Sequence, residues 1–124
     1  HLQNFFHETA LVLNQGGSFI FDVNSYFGFE EVAQGSINID SDDKFIAIDA
    51  FFEDDELKTE ITLFTEQTDG SFSKEQDAII QYFHEDSFIH ELLNKAGFEV
   101  TSIQEFKLHC EDEADKLIFI CKKL

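Results

Sequence analysis

Leu2, Phe5, Phe6, Thr9, Ala10 and Leu13 recur at intervals of three and four, the spacing of one face of an amphipathic helix. Asn14-Gln15-Gly16-Gly17 ends that pattern, because glycine readily takes the left-handed conformation that closes a helix. Ser18–Val23 follows, short and apolar on both sides of its alternation, as in a strand buried between two helical layers. Helix, glycine pair and buried strand together predict an αβ unit of a parallel sheet.

After Asn24-Ser25 the texture changes. Residues 26–43 are mixed and acidic, with a short helix predicted near Tyr26–Val32. From Lys44 to Phe83 a period of two predicts three antiparallel strands. The first covers Phe45–Phe52 and turns at Glu53-Asp54-Asp55-Glu56. In the second, Leu57–Glu66, one face carries Leu57, Thr59, Ile61 and Leu63, and the other Lys58, Glu60, Thr62 and Phe64. Asp69-Gly70 is a hairpin signal, and the third strand runs from Phe72 to Phe83.

The helical period returns in Phe88, Ile89, Leu92, Leu93 and Ala96, which form a stripe expected to be buried. Glu85 and Asp86 place negative charge at its N-terminus, and Gly97 closes its C-terminus. Phe98–Phe106 and Lys116–Lys122 then read as strands joined by a loop containing Glu111-Asp112-Glu113. Such a loop forces antiparallel pairing, because a parallel crossover needs about a dozen residues or more.

Composition narrows the class. Of 124 residues, 43% are hydrophobic and sixteen are Phe, so a packed core is expected rather than disorder. Eight Lys/Arg against twenty-six Asp/Glu give a net charge of −18. Nucleic-acid phosphates and anionic membranes repel such a surface, so neither is an expected partner. The longest apolar runs, such as Leu117–Cys121, are too short to cross a bilayer, and no secretion signal is visible, so a cytoplasmic location is expected. The chain begins with His1 and contains no Met, which leads us to expect a piece of a longer protein. Cys110 and Cys121 form no C-x-x-C pattern; reduced thiols are expected, facing each other across the terminal hairpin. His84 and His90 are six apart, and His1, His7 and His109 have no ligand-spaced neighbours, so no metal is expected.

Two stretches carry a resemblance. Leu13-Asn14-Gln15-Gly16-Gly17-Ser18-Phe19-Ile20-Phe21-Asp22-Val23-Asn24-Ser25 resembles the fifth strand of class I S-adenosylmethionine (SAM) dependent methyltransferases and its approach. Leu92-Leu93-Asn94-Lys95-Ala96-Gly97-Phe98-Glu99-Val100 resembles the approach to their sixth strand, and Leu117–Lys123 is similar to their last. The resemblance implies an α/β fold: the C-terminal part of a Rossmann-like methyltransferase sheet, with strands in the order 5-7-6, plus an inserted three-stranded antiparallel β lid. Residues 1–25 and 84–124 would form the partial core and residues 26–83 the lid. The family's Gly-rich SAM loop after the first strand, and the acidic residue ending its second, have no counterpart here. SAM would therefore be bound by a missing N-terminal half, and this piece alone would be inactive.

The implied activity is methyl transfer to a small-molecule acceptor. In open α/β sheets ligands sit beyond the C-terminal ends of the parallel strands. That position holds Asp22, Asn24, Ser25 and Tyr26, the candidate acceptor-binding residues, joined by Tyr82 from the lid. His84 is the candidate base, its ordinary pKa lying near neutrality. Asp22 and Asn24 could equally satisfy backbone groups at a turn. An apolar strand cut from its neighbours has an open edge, so a homodimer through that edge is expected. The competing reading is a non-catalytic, acidic, dimeric interaction module.

Overall fold

The computed structural model describes residues 1–124. In chain order the elements are α1 (Leu2–Val12), β1 (Ser18–Asn24), a π-helical turn (Gly28–Val32), β2 (Gly35–Asp40), β3 (Lys44–Glu53), β4 (Glu56–Glu66), β5 (Phe72–Tyr82), α2 (Asp86–Lys95), β6 (Phe98–Phe106) and β7 (Lys116–Lys123). They divide into two compact units, His1–Gly28 with His84–Leu124, and Phe29–Phe83.

The first unit is a three-stranded sheet, β1-β7-β6, with β7 antiparallel to both neighbours. Strands β1 and β6 therefore run parallel and end on the same side, and β1 keeps one edge open. This is the 5-7-6 arrangement expected from the sequence. Phe19 and Phe21 of β1 share a face with Cys121 and Phe119 of β7. Phe6 and Ala10 of α1 and Ile89, Leu92 and Leu93 of α2 join that one core. Phe6 and Phe21 lie 5.3 Å apart, and Phe21 and Phe119 stack at 5.1 Å with their planes 3° apart. Burying each of these rings contributes roughly 1.5–3 kcal/mol. A bulge between Val100 and Ser102 shifts the alternation of β6, which keeps Phe98, Val100 and Ile103 against the same core.

Because both helices share one face, β1 is not sandwiched between layers as its composition predicts. Ser18, Ile20 and Asp22 point away from the core and are exposed, Ile20 by 61%. Phe88 also leaves the expected stripe of α2. It is exposed and approaches the His84 ring at 5.6 Å, since the ten-residue helix turns only Ile89, Leu92 and Leu93 fully inward. Gly97, at φ +92, closes α2 in the left-handed conformation. The two thiols do not face each other. Cys121 sits in the ladder between Phe19 and Val100, whereas Cys110 lies in the loop before β7, and both are free.

The second unit is an antiparallel sheet, β2-β3-β4-β5. Four strands are present where three were predicted. The missed strand, β2, is short and exposed at every position, and its Ser-Ile-Asn-Ile-Asp alternation is submerged in an acidic stretch. The register places Ile37, Ile48 and Ile61 side by side, with Ile39, Ile46 and Leu63 as the next row of the same face. Phe29 stacks on Phe52 at 5.2 Å and meets Phe83 edge-on at 6.3 Å. With Leu57, Phe29 is one of the unit's two buried apolar side chains.

Candidate functional site

The C-terminal end of β1 is tied to the start of β7. Asn24 pairs with Lys116, and the next residue, Ser25, turns the chain. The Ser25 amide donates to the Asp115 carbonyl at 3.0 Å. Its hydroxyl donates to the carbonyls of Asp115, at 3.1 Å, and Ala114, and accepts the Gly28 amide at 3.0 Å. Gly28 itself runs against the Asp115 carbonyl with no room for a side chain.

Asp115 is the one buried charged residue, 5% exposed. A buried carboxylate must be paired and hydrogen-bonded to be tolerated. The partner is His109, whose Nδ1 lies 2.5 Å from the Asp115 carboxylate, with weaker support from the backbone amides of His109 and Leu108. The hydrogen bond from the His109 side chain holds the Asp115 carboxyl below its ordinary range, against the opposing effect of burial. The Asp115 amide also donates to the Phe106 carbonyl at 2.8 Å, closing residues 107–114 into a loop at the end of β6.

The predicted residues are distributed as follows. Asp22, Asn24, Ser25 and Tyr26 cluster at the end of β1. Asp22 is exposed and ion-paired with Lys116 at 3.4 Å, a contact that contributes little in water. Asn24 is half-buried and Tyr26 exposed, whereas the Ser25 hydroxyl is committed to the backbone contacts above. His84 is half-buried just before α2. Tyr82 is exposed on β5, in the four-stranded unit. Sequence reasoning missed Asp115 and His109. Their only signal was an acidic residue directly before a strand with a histidine six positions earlier, and that is indistinguishable from a solvated loop.

No group of three or more His, Cys, Asp and Glu side chains is placed to hold a metal ion. No helix is long and apolar enough to cross a membrane. The residues present do not fit a SAM cradle: Gly16-Gly17 precedes β1, and no Gly-rich loop follows any strand.

No protein-family profile matches the chain, and no curated protein matches it. Solved structures do. A SAM-dependent methyltransferase from Clostridium acetobutylicum ATCC 824 superimposes with a TM-score of 0.77 at 21% identity, over 98% of this chain and 50% of that one. CalS10 from Micromonospora echinaspora, an amino pentose methyltransferase of calicheamicin biosynthesis solved with SAM bound, gives 0.64 at 11% identity over 98% and 50%. DesVI from Streptomyces venezuelae gives 0.63 at 16% identity over 99% and 51%. The chain spans about half the length of the solved structures it matches. Its fold is therefore that of part of a SAM-dependent methyltransferase.

Proposed function

We propose that the chain is the C-terminal part of a SAM-dependent methyltransferase that modifies a small molecule in the cytoplasm. The observation that carries this reading is the β1-β7-β6 sheet, in which two parallel strands flank a reversed one and β1 leaves an edge open. In this reading the open edge receives the rest of the sheet, and SAM is held by residues outside this chain. Asp22, Asn24 and Tyr26 meet the acceptor, His84 takes its proton, Ser25 holds the turn that presents them, and residues 26–83 serve as the lid.

The test is a calorimetric titration of SAM into the 124-residue chain and into a version extended upstream through a strand followed by Gly-x-Gly-x-Gly. Binding by the extended protein alone is the expected result. Binding by the short chain, or none by either, removes the assignment. A second reading, an acidic module that self-associates, is favoured by the same open edge, since unpaired strand edges recruit new partners. Sedimentation equilibrium of the 124-residue chain should then show a dimer, and a monomer at high concentration removes that reading.

A further inference from the structure

We propose that the isoleucine face of the four-stranded sheet is the docking surface for a second copy of this chain. In an antiparallel sheet one face commonly packs on a core and the other meets water, and side-chain alternation tells them apart. Here the water face carries Asp49, Lys58, Glu60 and Lys74. The other face carries the rows Ile37-Ile48-Ile61 and Ile39-Ile46-Leu63, with Ile79 of β5 beside them. It has the pattern of a buried surface without the burial: Ile37 is 60% exposed, Ile39 49% and Ile79 50%. Within the unit Phe29 caps the Phe52 end of this face and leaves these rows open.

Size, rim and shape each select a second copy. A sheet needs another layer against its apolar face, and two sheets stack face to face about 10 Å apart. The open aliphatic side chains present roughly 450 Å² of apolar surface, within the range of the largest patch on a monomer, where such patches are often functional. Homodimer interfaces are roughly 60–65% apolar, so this patch corresponds to about 700 Å² per copy, against the ~800 Å² of a standard interface. A surface that meets itself also needs a rim able to answer its own charges. Glu75 and Asp77 border the isoleucine rows on β5, and Lys44, opposite Thr65, closes the end of the same face, so both signs are present. Rows of β-branched side chains repeat about 5 Å apart across the strands and 7 Å along them, and they interdigitate best with rows of the same spacing. The open edge of β1 offers backbone hydrogen-bonding groups and suits a strand; this face offers side chains and suits a layer. The inference holds whether or not the chain takes part in methyl transfer.

The experiment joins sedimentation equilibrium of the 124-residue chain to isotope-filtered NOE spectra of a mixture of methyl-labelled and unlabelled copies. A dimer is expected, with intermolecular NOEs from the methyls of Ile37, Ile48 and Ile61. The I37K/I39K double variant changes two exposed positions of an edge strand, where lysine is tolerated. It should keep the parent's circular dichroism and dimerise more weakly by about a hundredfold or more. Because it adds two positive charges to a chain of net charge −18, general repulsion falls, and weaker association is then specific to this face. Should the variant unfold, the NOEs of the parent alone decide. A monomer at every concentration, undiminished association of a folded double variant, or intermolecular NOEs that fall elsewhere, as on the β1 edge, each overturns the proposal.

Discussion

A β-carbon on Gly28 would overlap the carbonyl oxygen of Asp115. The chain can leave β1 on its present path because residue 28 has no side chain, and this approach lets the Gly28 amide reach the Ser25 hydroxyl. Gly28→Ala must push two backbone segments apart, and such overpacking costs roughly 1–3 kcal/mol. Ser25→Ala, which removes a hydrogen-bonding group without adding volume, should cost about 1 kcal/mol. Urea denaturation followed by circular dichroism compares the two. Equal midpoints for Gly28→Ala and the parent would show that the close approach is absent in solution.

Acid should weaken the same junction. The His109 side chain, and then the backbone amides of His109 and Leu108, keep the Asp115 carboxyl below its ordinary value of 3.8. Ser71, through its hydroxyl and amide, does the same for Asp69 in the β4–β5 hairpin. With the folded pKa depressed, the unfolded chain binds the proton more tightly, so stability falls as pH falls. Each contribution is complete above the ordinary value and is lost as pH drops through the lower, folded one. Asp115→Asn should therefore melt below the parent at neutral pH, with the gap narrowing as pH falls below about 4. Thermal scans across that range check this, and a gap that stays constant would remove Asp115 from the acid response.

Much of this architecture can be read along the chain, and the failures have physical causes. The period of α1, the alternation of β4 and the Gly97 stop each arise from contacts within one element, so local pattern reports them. The open face of β1 was not legible, because Phe-Ile-Phe reads as buried on both sides unless one knows that α1 and α2 share a single face. Strand β2 was lost because edge position, not hydrophobicity, makes it a strand. The Ser25–Asp115–His109 junction joins residues about ninety positions apart, and no spacing rule encodes it.

The β3–β4 turn is under-optimised. Glu53 and Glu56 pair across a two-residue loop in which Asp54 and Asp55 have φ of 53° and 60°. Positive φ at both central positions is the turn that matches the twist of a hairpin, and glycine is the preferred second residue. An aspartate held there is strained by about 1 kcal/mol, and glycine's larger freedom in the unfolded chain returns part of the gain. Asp55→Gly should thus stabilise by a few tenths to about 1 kcal/mol, and Asp55→Ala should not. Because the Asp55 group that accepts the Phe83 amide is its backbone carbonyl, that contact survives both changes. Matched urea titrations decide, and destabilisation by glycine would mean that the carboxylate of Asp55 matters more than its backbone.

The two thiols should separate by reactivity. Cys121 is 1% exposed between Phe19 and Val100, and burial pushes its thiol pKa up, which lowers the thiolate fraction that reacts. Cys110 is half-buried in the loop preceding β7. A disulfide reagent at mildly alkaline pH should label Cys110 at once and Cys121 only through opening of the β1-β7-β6 core. If that opening costs about 4 kcal/mol, the second labelling is slower by about a thousandfold and speeds up steeply with urea. Cys110→Ser should remove the fast phase and leave the slow one intact. Fast modification of Cys121 in that variant would mean that the phenylalanine core around β7 is loose on the timescale of the reagent.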